Sequence, residues 1–398
     1  MKKLGIVTIF FKNYNYGGLL QAYAIKQMLQ NINIPAEHIA CDENYLKKPG
    51  IIEIVRSLNS RLKRSLIRVI VRDKKRIEND LKIRQNNFNN FMEKIGYDGP
   101  YDHLSIKRCL GNYDFFLTGS DQVWNPEWHK GAYYLDFVPD NISKISYAAS
   151  IGKNQLTEEQ LNYAIPKIKR LDYISVREQE AKDLLTPYID KEIKVVLDPT
   201  LLLTQKDWNT VAVTPTIDDA YIFVYLLGNN KEHRIKIKQI GKMLNLKIVF
   251  LPHIHFQYEP ADEDFADIDL YDVGPAEFVG LIKNATMVVT DSFHGCVFSI
   301  IYHKKFWAMK RHKDTEKENM NSRLYTLFGN LGLEDRLLDD DQQLTREELL
   351  KKIDYETVDE KLEVLRKDST DFLENALSES VKMIEENQRN KETEALEN

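Results

Sequence analysis

The residues best suited to chemistry stand where apolar runs break. In "MVVTDSFHGCVFSI" (287–300), a histidine follows one apolar run after a few small polar residues and leads into a second. A strand over "ATMVVT" and a helix over "GCVFSIIYH" leave "TDSFHG" as the loop between them. Asp291 or Ser292 then caps the helix, and its free backbone N–H groups face the cleft. Such a helix end attracts phosphate or carboxylate. An imidazole beside a bound anion is suited to moving protons near neutral pH. His294 has a second reading, in which it bonds a neighbouring carbonyl and only closes the turn.

Two further loops share this design. In "FKNYNYGGLLQAYA", Gly17 and Gly18 let the backbone approach a ligand and start a helix, with Asn13, Asn15 and Tyr16 as polar contacts. The spacing matches neither the dinucleotide nor the P-loop motif, so a tight strand-to-helix turn explains it equally. In "TGSDQVWNPEW", Ser120, Asp121, Gln122, Trp124 and Asn125 set an aromatic face among carboxylate and amide groups, which suits a sugar ring. The alternative is a buried tryptophan beside a capped turn. Arg177, in "YISVREQEAKDLL", is placed either to hold an anion bidentately or to pair with Glu178 or Glu180 at the surface. Lys310, Arg311 and Arg323 lie in or beside "AMKRHKDTEKENMNSR", a polar run that supplies cations to a cleft or is simply solvated. The nearest approach to metal-ligand spacing, His253 and His255 in "PHIH", reads as a strand end, and no metal or other cofactor is expected.

These loops need elements to hold them, and the alternation of patterns supplies them. "LGIVTIF", "YDFFLTG", "KISYAAS", "YISVR" and "KVVLDP" read as strands, as do "AYIFVYLLG", "LKIVFLP" and "ATMVVT" later in the chain. Helices are expected over "GGLLQAYAIKQMLQNI", over 231–244 and over 276–284. Strands alternating with helices imply parallel sheets covered on both faces. At 398 residues, two α/β domains are expected, joined near 190–205. The spans are 1–195, with a basic helical insertion at about 51–95, then 196–345, then a charged helical tail over 346–398 that frays after Asn387. In the insertion, Ile51, Val55, Leu58, Leu62, Leu66 and Val69 fall at helical spacing beside Arg61, Lys63, Arg64, Arg68 and Arg72. That stripe packs on the core or lies on an anionic membrane.

Composition excludes several classes. A net charge of −6 gives no support for nucleic-acid binding. Cys41, Cys109 and Cys296 are too scattered for a disulfide framework or a zinc site, which points to a reducing compartment. The first residues, "MKKLGIVTIFFKNYNYGG", read as a strand and not a signal peptide, and no run is long enough to span a bilayer. A cytoplasmic protein is expected, with membrane association left to the basic stripe.

The set "NYGGLLQAYA", "TGSDQVWN", "YAASIG", "SVREQEAKDLL", "VLDPTLLL", "TDSFHG" and "NSRLYTLFGNLGL", from about residue 5 to 335, resembles the polysaccharide pyruvyl transferase family. The resemblance implies a GT-B-like architecture, two Rossmann-like domains facing across a cleft, with the first on the acceptor side and the second on the donor side. It also implies transfer of pyruvate from phosphoenolpyruvate to two sugar hydroxyls as a cyclic ketal, the acceptor being a surface glycan or its lipid-linked precursor. His294 matches the motif histidine and Arg177 the arginine of the "SVRE" motif. Many members carry an arginine two positions before the histidine. Ser292 stands there in this chain, leaving Arg323 and Lys310 as candidate replacements. With the loop readings above, the expected site has His294 for catalysis and Arg177, Ser292, Gly295, Arg323 and Lys310 for the donor. Asn15, Gly17, Gly18, Ser120, Asp121, Trp124 and Asn125 fall to the acceptor. Two competing readings are a glycosyltransferase or other nucleotide-sugar enzyme, for which a serine-bearing loop suits a diphosphate, and a non-catalytic scaffold.

Overall fold

The computed structural model describes residues 2–42, 74–127, 131–253, 260–312, 321–339 and 342–397. Short apolar runs form its strands, because a strand covered on both faces has no polar side to show. Seven make the first sheet: β1 (Leu4–Val7), β2 (Ala36–Cys41), β3 (Tyr97–Tyr101), β4 (Phe115–Thr118), β5 (Lys144–Ala149), β6 (Tyr173–Val176) and β7 (Ile193–Val195). Between them run α1 (Tyr16–Asn31), α2 (Lys74–Ile95), α3 (Glu158–Ile168) and α4 (Gln179–Leu185). Two short helices, α5 (Pro199–Leu202) and α6 (Gln205–Trp208), lead to the second sheet. That sheet holds β8 (Tyr221–Leu226), β9 (Lys247–Pro252), β10 (Ile268–Asp269), β11 (Met287–Thr290), β12 (Lys305–Met309) and β13 (Leu337–Leu338). Its helices are α7 (Lys231–Leu244), α8 (Pro275–Asn284), α9 (Phe293–Ile301), α10 (Ser322–Leu331) and α11 (Arg346–Leu350), and α12 (Tyr355–Glu397) ends the chain.

Every pairing is parallel. The orders are β3-β2-β1-β4-β5-β6-β7 and β10-β9-β8-β11-β12-β13. In each sheet the winding direction reverses beside the first strand, between β1 and β4 and between β8 and β11. Loops leaving the carboxyl ends of those strands diverge and open a crevice, the usual ligand position in doubly wound sheets. The expected "FKNYNYGG", "TGSDQVWN" and "TDSFHG" loops all leave from these four strands.

One buried apolar cluster joins the two halves. Tyr16 of α1 stacks on Phe278 of α8 at 4.8 Å between ring centroids, and its hydroxyl donates to the Val273 carbonyl at 2.8 Å. Tyr23 packs on Trp208, which meets Phe298 of α9 edge-on. Most of the face between the halves is therefore core, and buried charge collects at one end of it.

The tail departs from expectation. α12 runs unbroken to Glu397, past Asn387, because nothing after Tyr355 is glycine or proline and Glu, Lys, Leu and Ala favour helix. It is also no loose appendage: Val358, Leu362, Leu373, Ala376 and Leu377 are buried beneath it. Of the basic insertion, α2 accounts for 74–95 and buries Phe88, Phe91, Met92 and Ile95, whereas 51–73 lies outside the described residues. Among the described residues, no helix is long and apolar enough to cross a membrane.

Candidate active site

Ser292 begins α9, its hydroxyl oxygen accepting from the Gly295 N–H at 3.4 Å. Asp291 points the other way and takes the N–H groups of Leu227 (2.6 Å) and Gly228 (2.8 Å), which ties the β11 exit to the β8 exit. Gly295 is not a donor ligand: its N–H is capped, and a Cβ there would stand 2.5 Å from Thr290 Oγ1, so the glycine lets α9 lie against β11. The N–H groups of Phe293 and His294 take no protein partner among the described residues.

His294 reaches across to the other half. Its Nε2 faces Asp198 Oδ2 at 3.7 Å, and its Nδ1 edge rests on Gly17, where a Cβ would come within 2.0 Å. Gly17 thus touches the histidine, whereas Asn15 and Gly18 build the turn, Asn15 Oδ1 accepting from the Gly18 N–H at 3.3 Å.

Asp198 is the centre of the cluster. Oδ2 accepts from Arg177 Nη1 at 2.7 Å and Ser120 Oγ at 3.0 Å, and Oδ1 from the Thr200 N–H at 3.0 Å and hydroxyl at 2.6 Å. Burial alone would raise its pKa, but His294, Arg177 and Thr200 outweigh it and hold the carboxyl well below the usual range. Arg177 also reaches Asp121 Oδ1 at 3.4 Å and lies 4.6 Å over the Phe293 ring. Burial disfavours its charge, yet Asp198, Asp121 and Glu178 prevail and raise its pKa. The expected pairing with Glu178 is present, at 3.9 Å from Nε to Oε2, but it is buried and not at the surface, since Glu178 itself accepts from Ser150 Oγ and the Ile151 N–H. The two Nη groups face Asp198 and Asp121, while Nε has no hydrogen-bond partner among the described residues.

The candidate replacement cations separate cleanly. Arg323, on α10, is 8% exposed, and its Nε has no hydrogen-bond partner among the described residues. Burial first, then Arg177 and Arg311, pull its pKa down to about 10. Lys310 turns away to Asp339 at 2.7 Å, so it does not serve this site. Arg311 does: Nη2 donates to the Asp291 carbonyl at 3.2 Å, while Nε forms an ion pair with Asp291 Oδ2 at 3.8 Å and has no hydrogen-bond partner among the described residues. A crevice of about 60 Å³ lies among Arg177, Asp198, Phe293, Arg323, Thr326 and Asn330. A smaller one adjoins it between Arg311, Asn321, Phe293 and Arg323.

Trp124 and Asn125 are corrected as acceptor ligands. The indole is 1% exposed, stacks parallel to Tyr134 and donates from Nε1 to the Tyr133 carbonyl at 3.2 Å, so neither face is open to a sugar. Asn125 spends its amide on Gln122 Oε1 and the Glu127 N–H. Ser120 and Asp121 of the same loop do join the cluster. Sequence reasoning assigned no role to Asp198. Its signal was "LDPT", an acidic residue before proline at the end of a buried strand, where it caps α5.

Two doubly wound halves with a charged cluster at the strand ends define a GT-B-like architecture. The chain belongs to the polysaccharide pyruvyl transferase family, a transferase family whose pattern matches residues 15–313. None of the curated proteins matches it in sequence. Among solved structures it is similar to a putative UDP-N-acetylglucosamine 2-epimerase from Listeria monocytogenes, with TM-score 0.50, 11% identity, and 96% and 91% of the two chains covered. A UDP-GlcNAc 2-epimerase from Methanocaldococcus jannaschii gives TM-score 0.46 at 16% identity, covering 91% of this chain and 92% of its own. MurG from Acinetobacter baumannii gives 0.41 at 11% identity, covering 95% and 100%. Likeness at these identities concerns the fold alone.

Proposed function

We propose that the protein transfers pyruvate from phosphoenolpyruvate to two hydroxyls of one sugar in a surface polysaccharide or its lipid-linked precursor. The observation that carries this reading is His294 facing the ionised Asp198 beside Arg323, a buried guanidinium whose Nε has no hydrogen-bond partner among the described residues. The donor is an enol ester with a phosphate and a carboxylate. A proton added at C3 leaves an electron-poor C2, which the first sugar hydroxyl attacks, losing its own proton. Phosphate then departs from C2, and the second hydroxyl closes the ketal, its proton leaving with the phosphate. His294 supports both transfers of the first step, taking the hydroxyl proton and returning one to C3. Asp198 fixes the ring by facing Nε2, while Arg177, Ser120 and Thr200 keep that carboxylate charged and in place.

Phosphoenolpyruvate chemistry agrees with the cytoplasmic setting read from the cysteines. A lipid-linked acceptor would bring the protein to a membrane surface, and the basic stretch 51–72 supports that contact. Flotation with anionic liposomes tests it, and salt-insensitive or absent association removes it. The function itself is tested by acceptor-dependent phosphate release from phosphoenolpyruvate, with a pyruvate ketal sought in the product by NMR. Binding of a nucleotide sugar, with no phosphate released in the presence of any acceptor glycan, would replace this reading with a glycosyltransferase one.

A further inference from the structure

We infer that Arg366, on α12, is a positioning residue for the reaction: it holds α5 by its carboxyl end and so fixes Asp198, at the other end, against His294. The effect on turnover rests on the pyruvyl-transfer reading, whereas the placement rests on the geometry alone. α5 is four residues long, and a single turn is far too short to stand by itself. Its amino end is capped by Asp198, whose Oδ1 takes the Thr200 N–H. That leaves the carbonyls of its carboxyl end, which no later turn of helix can pair. Arg366 Nε donates to the Leu201 carbonyl at 2.6 Å and Nη2 to the Leu203 carbonyl at 3.4 Å, while Nη1 is held by Glu363 on α12 itself. A planar fork that reaches two acceptors at once suits that place.

Ser369, three residues further along and on the same side of α12, holds the other end. Its Oγ accepts from the Leu197 N–H at 2.9 Å and donates to the Leu365 carbonyl at 2.7 Å. The Leu197 carbonyl in turn accepts from the Tyr147 hydroxyl at 3.1 Å. α12 thus grips the chain on both sides of Asp198, whose own oxygens face Arg177, Ser120, Thr200 and His294. Arg366 and Ser369 both lie beyond residues 15–313, so this grip is none of the motifs on which the family assignment rests. Loss of the guanidinium frees two carbonyls, lets α5 shift along α12, and moves the carboxylate away from His294 Nε2, which it faces at 3.7 Å. A displacement of about 1 Å in catalytic geometry costs up to about 10²-fold in rate.

Kinetics combined with a spectroscopic readout of the His294–Asp198 pair test this. Arg366→Met keeps the stem and loses every donor. It should lower kcat for acceptor-dependent phosphate release about 10- to 100-fold, with KM for phosphoenolpyruvate within about twofold of the wild type. Arg366→Lys keeps the charge without the fork, so it should fall between the two, and it carries the test if Arg366→Met does not fold. Placed on top of Asp198→Asn, Arg366→Met should lower kcat no further, because its effect runs through that carboxylate. In protein grown with isotope-labelled histidine, the His294 ring signals are identified by their loss in His294→Gln. They should move in Arg366→Met and lie nearer the wild type in Arg366→Lys. Unmoved His294 signals, an unchanged kcat in the folded variant, or losses that multiply with Asp198→Asn overturn the inference. Displaced signals in a protein that releases no phosphate from phosphoenolpyruvate with any acceptor leave the grip on α5 standing and sink the pyruvyl-transfer reading instead.

Discussion

At the scale of single residues, Asp198 sets the charge of the whole cluster. Its carboxylate accepts from Arg177, Ser120 and Thr200 while facing His294, and it is 1% exposed. Asp198→Asn keeps the shape but leaves Arg177 short of a partner, a change expected to cost about 3–5 kcal/mol. The pH dependence follows from a folded pKa held below its unfolded value of about 3.9. The stabilisation is fully present above that value and is lost as pH falls toward the folded pKa. Urea unfolding should therefore show a constant gap between wild type and Asp198→Asn from neutrality to about pH 5, narrowing below about pH 4. A gap that widens in acid contradicts the assignment. His294→Gln should lower turnover about 10²–10⁴-fold with donor affinity little changed. Near-normal turnover would mean that the ring only fills its seat over Gly17.

Elements decide which side chains reach the site, and this is where sequence reading divides from structure. Buried strands were legible because continuous apolar runs leave few alternatives, and the helix expected over 231–244 is α7. β2 was not legible: "AEHIAC" carries Glu37 and His38, and the polarity hid that His38 is buried with its ring bonded to the Ala22 carbonyl at 2.8 Å. The loops of the site were legible as loops, but not the facing of their residues. An indole beside polar residues looks the same in a sequence whether it lies open or packs inward as Trp124 does. Arg177 was visible, and its partner twenty-one residues later was not. Two predictions belong at this scale. Trp124→Ala should cost about 3–5 kcal/mol in denaturant unfolding, with donor and acceptor use falling together as the folded fraction falls. Gly17→Ala should cut turnover far more than Gly18→Ala. A methyl at 17 meets the His294 ring at 2.0 Å, whereas one at 18 meets the Ile9 carbonyl at 3.0 Å. Equal losses would show that α1 tolerates a methyl at both positions and that the histidine seat is not tight.

For the whole molecule, catalysis requires two halves to share one site, since His294 and Arg323 come from one and Gly17, Ser120 and Arg177 from the other. Two helices cross between them. From the first half, α2 sends Arg84 Nη1 to the Pro252 carbonyl at 3.2 Å and Asn87 to the Asp272 carbonyl at 3.0 Å. From the carboxyl end, α12 packs on α10, then returns to the first sheet, where Ser369 Oγ accepts from the Leu197 N–H at 2.9 Å and Ser380 meets Ser143 at 2.7 Å. Leu197 adjoins Asp198, so this helix braces the carboxylate that faces His294. The contacts end well before the helix does, since the last buried residues on α12 with described side chains are Leu377 and Ser380. A chain stopped after Asn387 should keep the wild-type melting temperature and turnover. A chain stopped after Thr370 loses Leu373 and Leu377, each about 1.5–3 kcal/mol of burial, together with the Ser380 contact to the first sheet. Its melting temperature should drop by several degrees, and turnover should drop beyond what the lost folded fraction explains, because Ser369, which holds the Leu197 N–H beside Asp198, is left on the fraying last turn of the shortened helix. If the shorter chain melts and turns over like the longer one, α12 does not hold the halves in register, and the core packing of Tyr16 on Phe278 is sufficient for that.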